Sequence, residues 1–153
     1  MFMSSDIKKP DRLNISKNAK EIIDSIDSTN YFSLGDKATS RSELFLFAMA
    51  LGIDTIPTQL ENTHPGGLIL EKSIDSTTLS SMYAIFIYNL QDDQLDEITN
   101  KGKVFKMAQE FANTGFENID DYMKNKKNQK DLAWELLKEM DDQYNSYFNE
   151  YDH

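Results

Sequence analysis

His64 and His153 are the only side chains here that ordinarily titrate near neutrality, so a histidine general base has two candidates. His64 stands in the loop "THPGG" and His153 is the last residue given. Neither has a fixed partner in sequence, and a base must be held within hydrogen-bond reach of the proton it takes. The chain has no cysteine, which excludes a disulfide framework, a thiolate nucleophile and a thiolate zinc site. The pair Gly66-Gly67 lacks the following lysine and hydroxyl of a phosphate loop, and it is not spaced as a dinucleotide fingerprint. Asp92, Asp93, Asp96 and Glu97 have four-residue spacings that would share faces of an α-helix. A calcium loop also needs a glycine at its sixth position and a glutamate at its twelfth, and both are missing. Acids opening a helix complement its dipole without a metal. No catalytic residue, metal ligand or cofactor site is therefore expected, and the chain reads as a non-enzyme, with carboxylate-based chemistry among its abundant acids as the enzymatic alternative.

Contact chemistry is better represented. Residues 1–20 hold five basic and two acidic side chains, and residues 101–130 hold seven and four. Residues 21–100 are net −10 and residues 131–153 net −6, which leaves the whole chain at −10. Two basic islands thus sit on an acidic body. Lys8, Lys9, Arg12, Lys17 and Lys20 in the first, with Lys101, Lys103 and Lys106 in the second, are the candidates for contact with nucleic acid or a partner. An acidic whole repels phosphate, so avid non-specific DNA binding is not expected and DNA is reached, if at all, through a partner. Tyr144, Tyr147, Phe148 and Tyr151 fall at helical spacing, and such a stripe suits a protein interface as well as a last helix docking on the core.

These residues need elements to carry them. Residues 1–12 read as a flexible arm, with one helical domain from 13 to 153. Ser16 caps a first helix whose Ala19, Ile22, Ile23 and Ile26 share a stripe. "TSRSELFLFAMALGID" holds eight consecutive apolar residues, Leu44 to Leu51. Ser40 and Glu43 form a capping pair there, and Gly52 is placed to end the helix in left-handed conformation. A short helix apolar all round is normally buried on several sides, so this one is expected to be the central core helix, with Phe47 inside it. Residues 53–67 are irregular, and 68–74 form a short strand or extended piece. Ser76 or Thr77 caps a helix with Leu79, Met82, Tyr83, Phe86 and Leu90 on its stripe and Ile85 and Ile87 off it. "DDQLDEI" reads as a short acidic helix. A long helix from Lys103 to Lys124 presents Val104, Ala108, Phe111, Gly115, Ile119 and Tyr122. A last one runs from Asp131 to about Tyr147. The fold class is all-α: five or six helices bundled around a buried central helix, with one short β element near 68–74.

Length and composition bound the rest. The 153 residues, 39% hydrophobic with nine Phe, seven Tyr and one Trp, suffice for a core. No apolar run approaches the ~20 residues of a membrane helix, and residues 1–20 have no signal-peptide pattern, so a cytoplasmic location is expected.

The order "SRSELFLFAMALGI", an apolar helix after a Gly-rich loop, "VFKMAQEFANTGFENIDDYM" and an acidic, Leu-rich final helix resembles small accessory proteins encoded beside bacterial DNA phosphorothioation (Dnd-type) modification and restriction systems. The resemblance spans roughly residues 13–148. It implies an accessory, non-enzymatic interaction subunit in anti-phage defence or DNA modification, binding a larger protein. It carries no site motif and so assigns no residue a role. The −10 charge supports an alternative: an acidic immunity protein, antitoxin or phage-encoded inhibitor blocking a basic nuclease or nucleic-acid-binding site. The apolar surplus in 44–51 and 79–90 also allows a homodimer.

Overall fold

The computed structural model describes residues 11–29, 31–32, 40–125, 134–135, 137–138, 141–142, 144–146 and 149. In chain order these give strand β1 (Arg12–Leu13), helix α1 (Lys17–Thr29), helix α2 (Arg41–Gly52) and strand β2 (Ile69–Leu70). A 3-10 turn at Glu71–Ser73, helix α3 (Ser76–Asn89), a 3-10 helix at Asp92–Thr99 and helix α4 (Lys101–Lys124) follow. The described residues between 134 and 149 are helical. Contacts divide the chain into two units, 1–119 and 120–153, with the boundary inside α4, where the sequence reading has one domain from residue 13 onward. The helical class with one small β element is what the structure shows.

That β element needs the N-terminal segment to exist. Strands β1 and β2 pair antiparallel, with Arg12 opposite Leu70 and Leu13 opposite Ile69. The pairing continues on both sides: Glu71 N donates to Asp11 O at 2.8 Å, and Lys17 N to Asn62 O at 2.8 Å. Arg12 therefore belongs to a strand, and the expected arm does not reach it; residues 1–10 lie outside the described residues. Gly67, at φ +62°, turns the chain where β2 comes back against Arg12, a conformation glycine reaches without steric cost.

Ser16 caps α1 as its type demands, its Oγ accepting from Ala19 N at 3.0 Å. The four apolar residues of the α1 stripe are all buried. At the start of α2, Ser40 Oγ accepts from Glu43 N at 3.1 Å, the serine half of the expected capping pair. Its end differs. Gly52 is not left-handed: it is the last helical residue, and Ile53 after it is right-handed. A Cβ on Gly52 would stand 1.9 Å from Phe111 O, and one on Gly115 would stand 1.6 Å from Ala48 O. Both glycines are required because α2 and α4 cross backbone to backbone there. Helix α3 is capped by Asp75, whose Oδ1 accepts from Thr78 N at 2.7 Å, rather than by Ser76 or Thr77.

The crossing also relocates the centre of the first unit. In α2 one face is buried (Leu44, Phe45, Ala48, Met49), while Leu46, Phe47 and Leu51 are half-buried and Ala50 is exposed. The expected central helix is thus a one-sided wall. Phe47 is not deep core; its ring meets Phe32 edge-on at 5.2 Å. Helix α4 takes the central place. Every residue from Phe111 to Phe116 is buried, along with Val104, Phe105, Ala108 and Ile119. Its polar side chains are stitched inward. Gln109 Oε1 accepts from Asn14 N at 2.7 Å, and Asn113 Oδ1 accepts from Ser16 Oγ at 2.9 Å. Thr114 Oγ1 accepts from Thr58 N at 3.0 Å and lies 2.7 Å from the Thr58 hydroxyl. Three sequence-distant segments, 14–16, α2 and the stretch at Thr58, converge on this helix.

A candidate protein-interaction surface

Most of the described basic residues in the two islands are paired with acids. Lys20 pairs with Asp24 at 2.6 Å, one turn along α1. Lys101 pairs with Glu71 at 3.0 Å and lies 5.9 Å from the centre of the Phe105 ring. Lys103 pairs with Glu97, and Lys106 with Glu110 at 3.7 Å. Arg12 bonds Asp11 through Nε and Nη2, which raises its pKa further, and its Nη1 donates to Gly66 O at 3.2 Å. Lys17, the first residue of α1, is exposed. Lys8 and Lys9 lie outside the described residues. A phosphate reaching the second island would have to displace a glutamate from each of three lysines. Each such pair is worth little in stability, but it cancels the local field that phosphate would feel.

The other chemical candidates have plain settings. His64 is half-buried between Thr63, which bridges to Ser16, and β2, its backbone N–H donating to Ile15 O at 2.9 Å. Asp92, Asp93, Asp96 and Glu97 sit on the eight-residue 3-10 helix. With three residues per turn, positions three apart eclipse and positions four apart diverge, so the expected pairing of Asp92 with Asp96 and Asp93 with Glu97 does not arise. Among the described residues no group of three or more His, Asp or Glu side chains could hold a metal ion. Of the terminal aromatic stripe, Tyr144 is exposed, while Tyr147, Phe148 and Tyr151 lie outside the described residues. In that second unit Trp134 and Leu137 are exposed as well.

What the sequence reading passed over is the corner where α3 runs into the 3-10 helix. Tyr88 is 83% exposed, Leu95 53% and Ile87 45%. They lie within the stretch 87–96 together with Asp92, Asp93 and Asp96, all exposed. The two elements pack on each other, and Gln91 joins them with a reciprocal cap: its N–H donates to Gln94 Oε1 at 3.2 Å while its side chain accepts from the Gln94 amide. The buried stripe of α3 narrows to Thr78, Met82 and Phe86. The signal for the outer face was present: Ile87 lies off the stripe, and an apolar residue off the stripe of a helix that is not buried all round must face water.

No protein-family model matches the chain, and neither a curated protein nor a solved structure matches it.

Among the described residues, no helix is long and apolar enough to cross a membrane.

Proposed function

We propose that the chain is a non-enzymatic, cytoplasmic interaction subunit that binds a larger protein in a bacterial defence or DNA-modification assembly. The observation that carries this reading is the pairing of large solvent-exposed apolar side chains with lysines already occupied by acids. Tyr88, Leu95 and Ile87 stand in water at one corner, a cost in solvation that a partner relieves. Lys101, Lys103 and Lys106 hold Glu71, Glu97 and Glu110, so these three lysines offer little to a phosphate backbone. The phosphorothioation setting rests on the resemblance of the sequence alone, and DNA is reached through the partner.

The test has two parts. Phosphorothioate content and phage plating are measured in a bacterium carrying such a system together with this chain, with and without the gene. Loss of either on deletion supports the setting, and no change in both removes it. Purified protein mixed with duplex DNA at low salt is expected to show no complex; a complex with a steep salt slope would restore the lysine islands as a DNA contact. A second reading is favoured by the exposed acids at residues 92, 93 and 96: the partner is a nuclease whose basic site the chain occupies. Protection of nuclease activity at low salt, released at high salt, decides for it.

A further inference from the structure

We infer that the corner formed by the end of α3 and the 3-10 helix at Asp92–Thr99 is the docking surface, and that it takes a basic protein face bearing an apolar recess. This rests on the interaction-subunit reading and names its contact. Tyr88 is an aromatic residue almost wholly in solvent beside Ile87, on a helix whose inner face is already filled by Met82 and Phe86. Tyrosine in that position supplies a large apolar body and a polar tip, the composition of an interface anchor.

The surrounding charge selects the occupant. From Ala84 to Asn100 there are four acids and no lysine or arginine. Glu97 is matched by Lys103, which leaves the exposed Asp92, Asp93 and Asp96 as an acidic rim. In the 3-10 helix, where residues three apart eclipse, Asp92 stands in register with Leu95, and Asp93 with Asp96. The exposed Leu95 with Asp92 in register beside it is the pattern of a polar rim next to an apolar contact. A second copy of this chain would bring those acids against themselves. A partner with lysine or arginine around a recess satisfies them, and the same field steers its approach.

The probes are two synthetic peptides of helical periodicity, one of leucine and lysine, the other with every lysine replaced by glutamate. Backbone-amide NMR of the full chain is followed as each is added at low and at high salt. The leucine–lysine peptide is expected to shift residues 85–98 saturably and to weaken with salt, and the glutamate peptide to leave them in place. Tyr88→Ala and Leu95→Ser each weaken that binding about tenfold or more, and the triple change Asp92→Asn, Asp93→Asn, Asp96→Asn removes most of its salt dependence. All these side chains are exposed, so the variants keep the fold, which the dispersion of the same spectra verifies. Shifts centred elsewhere, equal response to both peptides, unchanged affinity in Tyr88→Ala, or concentration-dependent dimerisation that shifts residues 85–98 would each overturn the inference. A captured partner that protects a different face would defeat this surface while leaving the interaction-subunit reading intact. A peptide response at the corner with no change on deleting the gene would do the reverse.

Discussion

At the scale of single residues, the strongest constraints fall on atoms that are absent. Gly115 and Gly52 have no Cβ because a carbonyl already occupies that space. Gly115→Ala and Gly52→Ala are each expected to cost about 2–3 kcal/mol, since the helices must separate to admit a methyl group. Gly66→Ala, whose new methyl would meet only the His64 ring at 3.4 Å, should stay within about 0.5 kcal/mol. Urea unfolding of the three variants checks the contrast. Within α2, Phe45 is wholly buried and Phe47 half-buried. Phe45→Ala should cost about 3–5 kcal/mol and Phe47→Ala clearly less, the reverse of a helix buried all round. Asp75 gives a pH signature. The amide of Thr78 donates to its carboxylate at 2.7 Å, which favours the charged form, so its pKa is lowered. A depressed folded-state pKa stabilises above the unfolded-state value of about 3.9 and is lost as pH falls through the folded value. Asp75→Asn should flatten that acid limb of the thermal midpoint while keeping a cap, whereas Asp75→Ala should lower the midpoint at neutral pH.

At the scale of elements, legibility followed the source of each signal. Helix α1, the start of α2 and the long α4 were readable because capping and a 3.6-residue stripe are local properties. Of the stripe expected for α4, Val104, Ala108, Phe111, Gly115 and Ile119 are buried and Tyr122 is half-buried. What was not readable depends on neighbours. Nothing local distinguishes a glycine that ends a helix from one that lets two helices touch, so Gly52 was assigned the wrong task. Nothing local says that residues 62–71 will lie alongside 11–17, because their hydrogen bonds join segments about fifty residues apart. The acidic segment was correctly read as helical and incorrectly read as α, and that difference decides which of its acids align. The candidate site was less legible than the fold. Lysine clusters are visible in a sequence, but two of the acids that neutralise them, Glu71 and Glu97, come from outside α4. At this scale Ser16→Ala removes both the cap of α1 and a buried bond to Asn113. It should cost about 1–3 kcal/mol, checked by urea unfolding.

At the scale of the whole molecule, the net charge of −10 coexists with a first unit whose interior is stitched to one helix. Surface and interior are therefore under separate control. Tyr88→Ala and Leu95→Ser are expected to leave unfolding within about 0.5 kcal/mol of the parent while weakening binding, and calorimetry on the same variants checks that separation. The α2–α4 crossing carries this separation into evolutionary time. Acids can become amides, stripe residues can exchange among Leu, Ile and Met, and the binding corner can be rewritten for a new partner. The two glycines cannot drift without the crossing opening. Distant descendants of this chain would then share no recognisable surface motif, and what would betray their kinship is a glycine late in one short apolar helix facing a glycine midway along a long one.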